Sequence, residues 1–452
     1  MKGLGLRKLA NNVLKTLARQ IGAGLLQLVT LVLIARIYGP EGNGVYTVAL
    51  IFPAMLASFL NLGISPANVY YLGAGKVSPS VAWRSSFLIF SAITVLGLFV
   101  GSFMIIVFSE QWFPGVSFPS LWVALLVFPV ALLQSIISSF FQGLQNFRKF
   151  NSILLLQPFL TLLGIALLMF LGFHEITLLL CAYLLASIVT LIIARFLLQP
   201  YLSITNYPDF NRYSLTMLNY GYKAHLSNIL AFVNYKSDIF LVNMFLGPAG
   251  AGIYTIAAQI SERLWLLSQA VSTVLLPRLS QLSSDESKRK QLTPLLTRWV
   301  LWITCLGGIF LATVAYPLIV WVFGEEFSSA YWALVLLLPG MIAGSASRIL
   351  ANDIAARGRP ELNMYTSFIV VVLNIVGNLL LIPLFGLLGA AIATSLAYFI
   401  NFLMRLITHR YLTEVSILSN ILIRRDDIML IRSLMSSELF TTGARKEGQA
   451  YD

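Results

Sequence analysis

The sequence predicts an all-α membrane protein that crosses a bilayer about twelve times as two parallel six-helix repeats. Three features of the chain lead there. Of 452 residues, 58% are hydrophobic and only 11% charged, more apolar surface than one globular core encloses. The apolar residues gather in runs of about 20 or more, the length a helix needs to span about 30 Å of hydrocarbon. One glycine-proline motif also occurs twice, opening at Gly39 and again at Gly247.

Hydropathy and the breaks at Gly, Pro and charge place the spans at 12–35, 45–72, 83–108, 119–141, 152–172, 176–198, 217–246, 253–277, 296–323, 331–355, 363–384 and 388–411. Basic residues in short loops stay on the cytoplasmic side. Lys2, Arg7, Lys76, Arg84, Arg148, Lys149, Arg195, Arg212, Arg278, Lys288, Arg289, Arg357, Arg359, Arg410 and Arg424 fall on one side if both termini are cytoplasmic. The opposite loops, around Glu110, His174, Glu175, Gly247 to Gly252, Glu325, Glu326 and Pro383 to Leu387, carry acids or nothing. The expected location is therefore the inner or plasma membrane, multi-pass, with no removable signal peptide after the basic start Met1 to Leu9. This sorting accounts for the net charge of +12 without nucleic acid, and it suits anionic headgroups.

The repeat sets the domains. Gly39-Pro40-Glu41-Gly42-Asn43-Gly44-Val45-Tyr46-Thr47-Val48-Ala49 returns as Gly247-Pro248-Ala249-Gly250-Ala251-Gly252-Ile253-Tyr254-Thr255-Ile256-Ala257. Each copy sits between the first and second span of a six-span unit. Six is even, so the second unit enters from the same side as the first and the two are related by an axis along the membrane normal. The expected organisation is an N-terminal lobe at 1–198, a linker at 199–216, a C-terminal lobe at 217–412 and a tail at 413–452 carrying an amphipathic helix. The motif itself reads as a tight turn that brings long helices close, through small residues. Pro53, Gly63, Pro66, Pro129, Pro158, Pro317, Pro339 and Gly340 break other spans.

Charge inside the bilayer costs about 2.5–3.5 kcal/mol even on the lenient insertion scale, so such residues need a reason. Lys236 and Asp238 lie in the seventh span, Glu262 and Arg263 in the eighth. Lys236 and Asp238 are two apart, so they project in different directions along one helix. With the Gly247 turn as the tip of a hairpin, Lys236 comes level with Glu262 and a cross-helix pair is one reading. Asp238 and Arg263 then answer each other, the polar run Asn228, Asn234, Asn243 and Gln259, or a substrate. The first half has Leu28, Thr30, Ala54 and Met55 at the equivalent positions. Only the second half carries these charges. Lys15 and Lys223 fall at equivalent places nearer the cytoplasm, with Arg19 a turn deeper, positioned to meet an anionic headgroup or to snorkel.

The chain resembles the polysaccharide-biosynthesis flippases, the Wzx-like branch of the multidrug/oligosaccharidyl-lipid/polysaccharide exporter superfamily. The resemblance covers roughly residues 10–412. It rests on Ala35-Arg36-Ile37-Tyr38 followed by the first motif, on the second motif after Asp238, on Leu276-Pro277-Arg278-Leu279-Ser280 and on Leu388-Gly389-Ala390-Ala391-Ile392-Ala393-Thr394. It implies two six-helix lobes around a central cavity that opens alternately to each side. The implied substrate is an oligosaccharide on a polyprenyl diphosphate, moved from the cytoplasmic to the outer leaflet, with glycan-assembly enzymes as possible partners. Lys236 and Arg263, with Asp238, Glu262, Arg19 and Lys223, are the residues expected to meet it. The two additional C-terminal spans of the peptidoglycan lipid flippases are missing, and the first half is poor in buried charge.

Other functions fit less well. A cation-coupled drug exporter of the same superfamily needs a buried acid that loads and unloads a cation, for which Asp238 and Glu262 are the candidates. A membrane glycosyltransferase or polymerase needs acids or bases gathered on one face, and the short loops gather none, so no enzyme is expected. Neither a nucleotide-binding loop of the G-x-x-x-x-G-K-[ST] kind nor a metal or cofactor motif is present. Cys181 and Cys305 sit singly in spans, and His174, His225 and His409 match no ligand spacing.

Overall fold

The computed structural model describes the backbone of residues 2–202, 210–281, 286–423 and 427, and within these the side chains from residue 21 onward, apart from 210–212 and scattered positions in 223–227 and 273–281. Twelve α-helices follow one another: α1 Lys2–Leu60, α2 Ile64–Gly73, α3 Pro79–Trp112, α4 Phe118–Gly143, α5 Phe147–Phe170, α6 Ile176–Leu198, α7 Phe210–Ser261, α8 Trp265–Gln281, α9 Glu286–Val322, α10 Ala330–Ala356, α11 Pro360–Phe385 and α12 Leu387–Thr413. Among the described residues there is no strand.

Ten stretches are long and apolar enough to cross a membrane, and two of them, Ile21–Leu60 and Asn228–Ser272, run to 40 and 45 residues. At about 1.5 Å per residue each of these two is long enough for a pair of crossings. Each is broken near its middle by one glycine, Gly39 at φ 64° and Gly247 at φ 73°. Counted so, the ten stretches found among the described residues correspond to the twelve passes that hydropathy predicts. The expected turn of several residues is narrower than predicted. Glycine alone takes up the left-handed φ, and Pro40 or Pro248, preset for a helix start, begins the next helix at once. The second span is also shorter than expected, because Leu62 at φ 51° and Gly63 at φ 72° separate α1 from α2. Serine and asparagine cap the starts that follow: Ser78, Ser117 and Asn146 accept from the amides of Val81, Ser120 and Lys149.

By contact the chain divides into two compact units, one of residues 1–260, 312–337 and 368–394, the other of 261–311, 338–367 and 395–452. In the first, Gly97 and Gly101 of α3 leave room for the Phe128 ring and the Leu125 side chain of α4, the small-against-large packing that holds helices together where lipid gives no hydrophobic drive. Polar side chains are satisfied internally, since hydrocarbon offers no partner: Gln134 donates to Gln157 and Gln157 to Ser187, each at 2.9 Å. Large apolar side chains point outward instead, with Phe99 72%, Phe170 88% and Trp321 80% exposed, as a lipid-facing surface requires.

In the second unit, Leu275, Leu279, Val300 and Ile349 form one cluster, and Ala343, Ala346, Leu350, Phe402 and Leu406 another. Ile417 and Ile421, beyond α12, pack on the latter. Trp302 donates to the Ile421 carbonyl at 2.8 Å, and Arg298 holds both the Asp427 carboxylate and the Ser419 carbonyl. The chain after α12 therefore folds back onto α9. Arg424, Arg425, Met429, Leu430, Arg432 and Leu434, the remainder of the expected amphipathic helix, lie outside the described residues.

A buried ionic cluster ties the same unit together. Asp353, with no exposed surface, accepts from Arg357 at 2.7 Å and Arg289 at 3.3 Å, with His409 at 3.5 Å, while Arg357 also reaches Glu286 at 2.8 Å. Removing one partner from a buried ion cluster strands the others, at about 3–5 kcal/mol. Asp353→Ala is expected to lower the thermal unfolding midpoint of the protein in detergent by several degrees, with Asp353→Glu milder. An unchanged midpoint in both would mean that the guanidinium groups find equivalent partners.

Candidate functional site

The two copies of the motif meet. Asn43 donates to the Gly252 carbonyl at 3.0 Å. A Cβ at Gly44 would fall on the Pro248 carbonyl, and a Cβ at Gly252 on that of Pro40. Gly252 and Pro248 are the repeat equivalents of Gly44 and Pro40, so the contact is reciprocal: each copy's third glycine presses on the other copy's proline. That is how two related segments pack about a local two-fold axis, as parallel repeats require. Only residues without a Cβ allow backbones this close.

The same partners meet again at the other end of these helices. Gly63, at the break before α2, lies against the Gly221 backbone of α7, and a Cβ at either would strike the other's main chain. Tyr70 stacks on Tyr220 with ring centroids 4.7 Å apart, and Tyr71 meets Tyr213 edge-on at 5.6 Å. Lys76 donates to the Tyr70 hydroxyl at 3.1 Å. The equivalents of Gly63 and Gly221 in the repeat are Val271 and Val13, so this second contact has no glycine counterpart in sequence.

Asp238 is 6% exposed and lies in a polar cluster shared by α7, α11 and α12. Tyr254 donates to it at 2.9 Å, and its other oxygen accepts from the Ile239 amide at 2.8 Å. The Tyr254 hydroxyl also lies 3.4 Å from Thr394, which accepts from Asn374 at 3.2 Å. Ser237 donates to Asn374 at 3.3 Å, and Asn378 donates to the Asn374 carbonyl at 2.8 Å. The cluster therefore gathers one carboxylate and several neutral oxygens in a dry place. Such a set can hold a proton or a small hard cation as well as bind itself. Among the described residues no group of three His, Cys, Asp or Glu stands close enough to hold a metal.

Tyr254 is the repeat motif's tyrosine. Its first-half equivalent, Tyr46, faces a different situation, because the position equivalent to Asp238 is Thr30, whose hydroxyl bonds back to the Leu26 carbonyl at 3.0 Å. The asymmetry expected between the halves is thus a difference in what an otherwise shared tyrosine touches. Tyr254 could have been found from the sequence, since Asp238 and Tyr254 stand nearly equidistant from the break at Gly247 on its two limbs.

Lys236, half-buried on α7, makes no hydrogen bond or ion pair with any described residue. Lys236 and Asp238 belong to the first unit, Glu262 and Arg263 to the second. Glu262–Leu264 forms a 3₁₀ turn between α7 and α8, and Arg263 projects from it, exposed. Arg19 and Lys223 lie on α1 and α7, their side chains outside the described residues. Arg348, Asp353, Arg405 and His409 also carry charge or a titratable ring inside apolar spans, although none of them is among the expected site residues. The criterion of charge within a span applies to them equally. A separate cavity of about 460 Å³, lined by Tyr38, Glu41, Ser117, Ser120, Glu175 and Thr177, lies beside the first motif and contains none of these groups.

Residues 33–332 match the family model described as polysaccharide biosynthesis protein. The probable low-salt glycan biosynthesis flippase Agl15 of Haloferax volcanii is 30% identical over 191 residues, 41% of this chain, and the match spans only 40% of that relative's length. The putative O-antigen transporter of Shigella flexneri is 22% identical over 396 residues, covering 82% of this chain and 90% of that one. Among solved structures, the lipid II flippase MurJ in an inward closed conformation superposes with a TM-score of 0.71 at 18% identity, covering 87% of each chain, a likeness of fold.

Proposed function

Because the chain belongs to the polysaccharide biosynthesis protein family, we propose that it is a flippase, moving an oligosaccharide on a polyprenyl diphosphate from the cytoplasmic to the outer leaflet by alternating access. The observation that carries this reading is the reciprocal seam of the two motifs. Two lobes that touch through bare backbone on a local axis separate and rejoin without unpacking large side chains. In this reading the lobes are 1–198 and 217–412, joined by 199–216, with 413–452 as a tail and both termini in the cytoplasm of a cell-membrane protein. Enzymes that build or polymerise the glycan are its natural partners.

Lys236 and Arg263 are the cations that meet the diphosphate or acidic sugars, assisted by Arg19 and Lys223 on the entry side, while Asp238 and Glu262 order them. Half-buried Lys236, whose charge acts on Asp238 but which forms no hydrogen bond or ion pair with a described residue, supports the assignment, since a cation at such depth is retained for a polar cargo. In proteoliposomes a fluorescent polyprenyl-diphosphate glycan is expected to change leaflet only when the protein is present. Lys236→Gln and Arg263→Gln are each expected to slow that step about tenfold without affecting membrane insertion. Wild-type rates in both variants would remove the site assignment, and absence of transfer with the intact protein would remove the function.

One observation favours a second reading, cation-coupled export. The Asp238 cluster is the kind of buried acid that loads and releases a cation in each cycle. Drug efflux driven by a cation gradient, with no glycan transfer, would favour it.

A further inference from the structure

We infer that Arg348 is a phosphate-holding residue in the second unit, the group that receives the diphosphate of the lipid-linked cargo; this rests on the flippase reading and adds to it a residue outside its expected site.

The local structure displays this guanidinium. Trp265 packs against Gly344 of α10, its indole within 3.3–3.6 Å of where a Cβ would be, and donates to the Met341 carbonyl at 3.0 Å. Tyr398 of α12 abuts it edge-on at 5.5 Å. The indole is thus wedged between α10 and α12, and Arg348, one helical turn beyond Gly344, sits over its face at 5.3 Å from the ring centroid. Cation–π contact fixes a guanidinium in place while leaving all five of its N–H groups unengaged. Arg348 is half-buried and has no hydrogen bond or ion pair with a described residue.

Among the described residues no acid forms an ion pair with it. The described aspartates of this unit are engaged elsewhere, Asp353 by Arg289, Arg357 and His409, and Asp427 by Arg298. Beside it, Arg405 of α12 reaches the Ser347 hydroxyl at 3.1 Å and also contacts the Ser347 carbonyl and the Ser367 hydroxyl, which fixes the backbone adjoining Arg348 and adds a second positive charge. Both arginines stand eight residues before the C-terminal ends of their helices, Ala356 and Thr413, about 12 Å from those ends. A planar fork with no described acid paired to it fits a phosphate or diphosphate, which accepts two parallel N–H bonds from it. Arg348 is the ligand residue, and Trp265 and Arg405 are positioning residues.

The test is binding, separate from transport. The full-length protein in nanodiscs is titrated with a short prenyl diphosphate and with the same prenol lacking phosphate. The wild type is expected to bind the diphosphate more tightly than the prenol, with an affinity that falls as salt rises. Arg348→Gln is expected to lose about tenfold for the diphosphate and nothing for the prenol, Arg348→Lys to recover part of the loss, and Trp265→Leu to behave like a weaker Arg348→Gln. Thermal unfolding of each variant establishes that it is folded. Equal diphosphate affinity in folded Arg348→Gln and wild type would overturn the inference, as would a loss shared equally by the prenol. Glycan transfer by the wild type in the same lipid is scored apart, so its failure would end the flippase reading while the binding comparison still decides this one.

Discussion

Gly44→Val is expected to abolish transport and to leave the motif seam unable to close. A Cβ at this position would coincide with the Pro248 carbonyl, and a main-chain carbonyl inside a helix cannot swing aside as a flexible side chain does. Overpacking against such a site costs about 1–3 kcal/mol or more, enough to shift a two-state equilibrium by one to two powers of ten. Gly252→Val should do the same, through Pro40, because the contact is reciprocal. Gly250→Ala, whose Cβ would meet chiefly the Leu246 side chain, should be far milder. The measurement uses a cysteine at Ala251, a fully buried position in the seam, in a background with Cys181 and Cys305 replaced by serine. A membrane-impermeant thiol reagent should label that cysteine rapidly when Gly44 is valine and slowly when it is glycine. Equal labelling together with normal transport would mean that the seam is not a moving contact.

The second large effect belongs to Asp238. Its carboxylate accepts hydrogen bonds from the Tyr254 hydroxyl and the Ile239 amide, and Asn374, Asn378 and Thr394 continue the cluster. Asp238→Asn preserves an oxygen that accepts from Tyr254 while removing the ionisable group. Its unfolding midpoint should stay near that of the wild type, but transport should fall at least about tenfold and lose its dependence on a proton or sodium gradient. Asp238→Ala removes the Tyr254 hydroxyl's 2.9 Å acceptor, at about 1–3 kcal/mol, and should lower both stability and expression. Wild-type transport in Asp238→Asn, with gradient dependence intact, would reduce the cluster to a structural tie between α7, α11 and α12.

The expected site residues and their surroundings in the structure were not equally legible in the sequence. Lys236 and Arg263 were legible because charge in an apolar run is conspicuous, and neither forms a hydrogen bond or ion pair with a described residue. Asp238 was equally conspicuous, yet its partner was not, because tyrosine in a membrane helix attracts no notice until the break at Gly247 folds its limb back. Arg348 shows the reverse. Its charge was visible in the tenth span, but its importance comes from Trp265, which lies more than eighty positions earlier and meets it only through the wedge between α10 and α12.

Hydropathy and one repeated motif determined the class, the number of crossings and the relation of the two halves, since the length of an apolar run and the parity of six follow from chain order alone. Tertiary structure decided what the repeat does. That each motif's third glycine presses on the other's proline, and that a carboxylate finds a tyrosine across a one-residue break, are facts of distance between segments far apart in the chain. Such distances depend on how bare backbones and polar side chains are matched once lipid has withdrawn every alternative partner.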